Sequence, residues 1–104
     1  YATVGDAALG GSDGQYKTIN EAFAAGYFAI YLVGKTQLTS DINLQDEYFY
    51  ITSENMRFHS IEFNDYSITG NSFARLLVER LFLIDQNSTT NKVAFDGFKQ
   101  VIIN

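Results

Sequence analysis

Three stretches of the chain align at a constant offset of twenty residues. Phe58-His59-Ser60-Ile61-Glu62-Phe63-Asn64-Asp65 is matched by Val78-Glu79-Arg80-Leu81-Phe82-Leu83-Ile84-Asp85, and again by Phe98-Lys99-Gln100-Val101-Ile102-Ile103-Asn104. One repeat earlier, Ile42, Leu44 and Asp46 match Ile61, Phe63 and Asp65 at an offset of nineteen. A period near twenty, with short strands and no helix between them, is that of one turn of a parallel β-solenoid. Turns stack about 4.8 Å apart, so equivalent residues lie over one another. The spacing therefore predicts one buried column of Ile61, Leu81 and Val101 and another of Phe63, Leu83 and Ile103. Asp46, Asp65 and Asp85 should stack where each strand gives way to a turn. A second strand per turn is expected in Tyr48-Phe49-Tyr50-Ile51-Thr52, Tyr66-Ser67-Ile68-Thr69 and Val93-Ala94-Phe95. The competing architecture is a β-sandwich, which needs no constant spacing and favours Asn-Gly or Asp-Gly hairpins. Only Asp13-Gly14 and Asp96-Gly97 fit that signal, the first outside the strand region.

Ahead of the repeats the pattern differs. Residues 1–17 read as a strand, Ala2-Thr3-Val4, that pairs with something later, followed by a glycine-rich flexible linker through Gly10, Gly11 and Gly14. Residues 18–26 read as a helix. Thr18 and Glu21 have capping-box spacing, Ile19, Ala22 and Phe23 share one face, and Gly26 supplies a left-handed end. Two turns of helix are not stable alone. We therefore expect Ile19 and Phe23 to pack over the open end of the first coil, with residues 27–104 forming the solenoid.

With 104 residues there is room for a single domain, and 46% apolar content argues against disorder. Seven basic against twelve acidic residues give a net charge of −5, which opposes binding to nucleic acid or to an anionic membrane surface. No Cys is present, so disulfides do not contribute. No Pro interrupts a ladder. The opening Tyr1-Ala2-Thr3-Val4 has neither the charged nor the apolar region of a signal peptide, and we expect the parent chain to extend upstream. At the other end, Asn104 completes a strand. There we expect either more chain or a subunit of a homo-oligomer, a trimer being common in spikes, to cover the edge.

The stretch Gly14-Gln15-Tyr16-Lys17-Thr18-Ile19-Asn20-Glu21-Ala22-Phe23, followed by the strand Ala29-Ile30-Tyr31-Leu32-Val33, resembles the opening of pectin-lyase-like right-handed parallel β-helices. In that superfamily the phrase G-(D/Q)-(F/Y)-x-T-I-x-E-A builds an N-terminal capping helix. The resemblance implies a mainly β chain forming a right-handed parallel β-helix segment with an N-terminal capping α-helix, and a carbohydrate context. It implies no reaction, since the scaffold hosts pectinesterases, lyases, hydrolases, tailspikes and adhesins. The chain departs from the family where Gly34-Lys35-Thr36 replaces a Pro-Gly-x-Tyr turn, and no family set of catalytic acids can be placed on it.

The candidates for chemistry are few. The Asp46, Asp65 and Asp85 series could supply paired carboxylates for glycoside cleavage, but Asp at a strand end ordinarily serves a turn. Asp41, Glu47 and Glu62 read as solvated charges. His59 is the only His, expected at the surface. A Ser60, His59 and Asp65 triad is spoiled because adjacent strand residues point to opposite faces. Asp6 and Asp13 are too few ligands for calcium, so no metal and no cofactor are expected. Asn87-Ser88-Thr89 is a glycosylation sequon with meaning only in a secreted eukaryotic chain. Tyr48, Tyr50 and Tyr66, with Tyr27 and Tyr31 nearby, stand outside the columns. Their faces suit either sugar stacking or packing against a subunit.

We therefore expect a non-catalytic structural or attachment module of a virion spike, fibre or surface adhesin. It would be extracellular or on a virion surface, and would meet its own subunits, other surface proteins or a polysaccharide. The alternative is the N-terminal part of a polysaccharide lyase, pectinesterase or glycoside hydrolase whose catalytic coils lie downstream.

Overall fold

The computed structural model describes residues 1–53, 59–84 and 95–103. The elements are β1 (Ala2–Val4), α1 (Ile19–Ala24), β2 (Ala29–Leu32), β3 (Thr36–Gln37), β4 (Ile42–Leu44) and β5 (Tyr48–Ser53). They continue with β6 (Ser60–Glu62), β7 (Ile68–Gly70), β8 (Arg75–Val78), β9 (Phe82–Ile84), β10 (Phe95–Asp96) and β11 (Gln100–Ile103). Among the described residues every strand pair is parallel, and the strands form three sheets: β1-β2-β5-β8-β11, β3-β6-β9 and β4-β7-β10. The chain winds about three turns of a parallel β-solenoid. Each turn places one strand on each sheet in order, so a coil has three faces and not the expected two.

The core follows from strand alternation. On β5, Phe49 and Ile51 are buried while Tyr48 is exposed and Tyr50 half-buried. Equivalent inward residues stack from coil to coil: Ala2, Ile30, Ile51 and Val78 in one line, Phe49, Leu76 and Val101 in the next. The second sheet adds Thr36, Ile61 and Leu83, and the third Ile42, Ile68 and Phe95. Apolar side chains of successive turns thus cover one another continuously, which is how a solenoid builds a core from short strands.

The register overturns the twenty-residue columns. Ile61 stacks on Leu83, not Leu81, and Val101 stacks on Leu76 in a different sheet. Ile103 pairs with Val78 and is 55% exposed, against the burial expected of it. The turn length is not constant. Ala29 lies beside Tyr50, Ile51 beside Val78 and Ile68 beside Phe95, so partners from β2 onward stand 21 to 27 residues apart. The corner between the first and second sheets contributes to this variation. It takes only positions 33–35 from β2 to β3 but positions 54–59 from β5 to β6. A shift in register moves side chains to other faces. Tyr48–Ser53 and Ile68–Gly70 accordingly lie on different sheets. Of the third predicted piece, Phe95 does pair with Ile68, while Val93 and Ala94 lie outside the described residues.

The start of the chain matches its signals more closely. β1 pairs with β2, as expected of a strand at Ala2-Thr3-Val4. The Thr18 hydroxyl accepts from the Glu21 amide at 3.2 Å and donates to Glu21 Oε1 at 3.2 Å. At the other end Gly26 has φ +94, with its N–H on Phe23 O and the Tyr27 N–H on Ala22 O, the paired bonds of a Schellman ending. Asn20 ties α1 to the first coil, donating to Ser40 O at 3.1 Å and accepting from Thr39 N at 3.1 Å. Ile19 and Ala22 are buried, whereas Phe23 is only half-buried, its ring edge-on to Phe49 at 5.8 Å.

The glycine-rich segment is not a free linker. Asp6 N donates to Lys35 O, Ser12 N to Val33 O and Lys35 N to Gly10 O, so the loop is laced to the first corner. Gly34 makes this possible, because a Cβ there would collide with Ser12 O. Asp6 and Asp13 accept from the amides of Ala8 and Ala7, at 3.0 and 2.9 Å, and so serve the loop's own turns. No helix among the described residues is long and apolar enough to cross a membrane.

Candidate functional site

The corner between the third and first sheets is built on Asn71. Its Oδ1 accepts from the amides of Asp46 (3.2 Å), Phe73 (3.0 Å) and Ala74 (2.9 Å), and its Nδ2 donates to Asp46 Oδ1 at 2.6 Å. Asp46 sits at φ +57, a left-handed position that Asp tolerates better than most residues. Successive coils meet here: Arg75 N donates to Glu47 O, and Lys99 N to Ala74 O. The turn pushes Phe73 outward, 72% exposed, beside Tyr48, 54% exposed. Tyr48 and Arg75 are partners in register, and the guanidinium carbon lies 6.0 Å from the ring centroid, at the edge of cation–π range.

Together these residues frame a cleft of about 210 Å³ lined by Asp46, Glu47, Tyr48, Phe73, Arg75 and Lys99. Its chemistry is that of a binding surface. Two exposed aromatic rings offer apolar faces, and two cations and Glu47 offer hydrogen bonds at the rim. The Asp46 carboxylate is already engaged by Asn71.

Of the three tyrosines singled out by sequence, only Tyr48 lines this cleft. Tyr50 shares its outward side of β5 but is half-buried, and its hydroxyl donates to Glu79 Oε2 at 2.7 Å. Its phenol is held above the ordinary pKa. Neighbouring Thr52 pulls it down, and the bond to Glu79, partial burial and the Glu79 charge together outweigh that pull. Tyr66 lies at another corner, between β6 and β7, where its N–H donates to Phe63 O. Tyr27 and Tyr31 are half-buried, set edge-on against Tyr16 at 5.9 Å and Tyr1 at 6.1 Å. Phe73, Arg75 and Lys99 were not singled out from sequence. They stand about a coil or two from Tyr48 along the chain, and only the observed register brings them to it.

The other candidates fare differently. Asp46 and Asp65 do not stack, since one follows β4 and the other β6; Asp85 and the sequon at Asn87 lie outside the described residues. Asp65, at φ +65, occupies a turn with one buried carboxylate oxygen lacking a partner among the described residues. His59 is 7% exposed, against the surface position expected, and its Nδ1 has no hydrogen-bond partner among the described residues. Ser60 Oγ is likewise buried and without a partner among the described residues, so no Ser60, His59 and Asp65 relay is joined. Among the described residues no group of three His, Cys, Asp or Glu side chains is arranged to hold a metal ion.

Compared with known proteins, the chain matches no family model, no curated protein and no solved structure.

Proposed function

We propose that this chain is a non-catalytic attachment or structural module, the first coils of a right-handed β-helix in a virion spike, fibre or surface adhesin, meeting glycans at the Tyr48 corner. The observation that carries this reading is the pair of exposed rings, Tyr48 and Phe73, flanking a cleft edged by Arg75 and Lys99. Exposed aromatic faces on a rigid, hydrogen-bonded scaffold suit stacking against sugar rings, with polar groups at the rim to orient hydroxyls. The solenoid holds them without loss of loop entropy on binding. Pectin-lyase-like kinship draws its support from the Gly14–Phe23 phrase and from the parallel coils. Right-handed winding follows the strong preference of parallel crossovers. A capping role for α1 is supported by its anchorage to Thr39 and Ser40 and by the burial of Ile19. Association with its own subunits, on an extracellular or virion surface, is supported by Phe82 and Ile84, exposed apolar residues on β9.

The test is a binding screen of the chain against immobilised neutral and acidic oligosaccharides. Binding should drop about tenfold in Tyr48→Ala and in Phe73→Ala, as expected for the loss of about 1.4 kcal/mol of stacking each. The same sugars should yield no reducing ends, unsaturated products or methanol. Turnover that disappears in Asp65→Asn, or glycan binding indifferent to both aromatic changes, would sink the reading.

A further inference from the structure

Each of the three sheets begins with a strand whose outer edge must be satisfied, and two of the three are covered. On β1, Tyr16 N donates to Thr3 O at 3.1 Å and Gly5 N to Tyr16 O at 3.0 Å. Beside β3, Lys35 is held by Gly10 and Asp6, and the Thr36 hydroxyl donates to Lys17 O at 3.0 Å.

The edge of β4 is different. Ile42 N donates to Ser67 O at 2.9 Å, and Asn71 N donates to Leu44 O at 3.3 Å, so these two residues turn toward β7. In a parallel ladder the residue between them faces the opposite way. The Asn43 N–H and C=O therefore point out of the sheet, with no partner for either among the described residues. Asn43 also lines a groove of about 460 Å³, bounded by Asn20, Glu21, Phe23 and Ala24 of α1 and by the segment from Ser40 to Leu44. The lining contains no Lys or Arg, and Glu21 adds an exposed carboxylate.

We propose that this groove docks an extended, cationic peptide segment of a partner protein, which adds as a further strand to β4. A main-chain donor and acceptor side by side on a strand edge are matched by another main chain. Glu21 then selects for a basic side chain, and the half-buried Phe23 ring takes an apolar one. The site is separate from the Tyr48 corner and independent of whether that corner binds sugar.

The experiment uses the intact chain with two probes: an acetylated, amidated Lys-Val-Thr-Val-Lys peptide, and the same peptide N-methylated at its three central residues. Hydrogen exchange at the Asn43 amide should slow about tenfold or more at saturation with the first peptide and stay unchanged with the second. Affinity should fall several-fold in Glu21→Gln, which keeps the capping-box geometry, and again on raising salt to about 0.5 M. Circular dichroism confirms that the variant is folded. Unchanged Asn43 exchange, equal binding of the N-methylated peptide, protection by self-association without peptide, or protection by a neutral oligosaccharide would each overturn the proposal.

Discussion

Asn71 and Asp46 hold two successive coils together by a reciprocal pair of hydrogen bonds, side chain to carboxylate at 2.6 Å and backbone amide to side chain at 3.2 Å. The same Asn71 Oδ1 also serves Phe73 and Ala74, so a single side chain shapes the wall that carries the Phe73 ring. Asn71→Ala should destabilise the fold by about 1–3 kcal/mol, because it removes four hydrogen bonds that shape the corner and join two coils. Chemical denaturation would measure it. A loss below about 0.5 kcal/mol would mean that water replaces Asn71 without cost.

A second prediction separates the observed register from the one suggested by the twenty-residue repeat. Leu76 is fully enclosed and stacks between Phe49 and Val101, whereas Ile103 is largely exposed. Leu76→Ala should cost about 2–5 kcal/mol, and Ile103→Ala less than about 1 kcal/mol. Equal effects at the two positions would contradict the three-faced register.

The helix ends allow a third. Thr18→Ala removes the acceptor for the Glu21 amide and should cost about 0.5–2 kcal/mol. Gly26→Ala places a Cβ at φ +94 and should cost about 1 kcal/mol through backbone strain alone, since none of the described residues lies within reach of the added methyl. Thermal melts of both variants would show whether α1 contributes to the cooperative unit. An unchanged midpoint for Thr18→Ala would mean that it does not.

Alkaline titration gives the fourth. The folded Tyr50 phenol is raised above 10.0, so folding favours its protonated form. That contribution is fully present below pH 10.0 and is lost as pH rises through the raised value. Tyr16, raised chiefly by burial and then by Tyr27, carries the same sign. Tyr50→Phe should therefore lose less stability than the parent between neutral pH and the alkaline limb. A steeper loss in the variant would reverse the assignment.

The strand character of residues after Gly26, the parallel solenoid and the helix signals at Thr18 and Gly26 were legible in the chain itself. Each depends on residues close in sequence or on repetition: alternation at Phe49 and Ile51, a hydroxyl three residues before an acid, a glycine where φ must be positive. The number of faces and the register were not legible. They depend on how many residues each corner consumes, and positions 54–59 take twice as many as positions 33–35 between the same two sheets. A match at constant offset cannot register coils of unequal length: Thr36 and Ile61 are neighbours 25 residues apart, while Ile61 and its neighbour Leu83 are 22 apart. The burial of His59 was not legible either; it stands beside Phe82 of the next coil, whose amide donates to its carbonyl at 3.0 Å. The Tyr48 corner is a product of tertiary structure altogether. Tyr48, Phe73, Arg75 and Lys99 meet only because coils stack, and the stacking distance between strands, not distance along the chain, decides which side chains share a cleft.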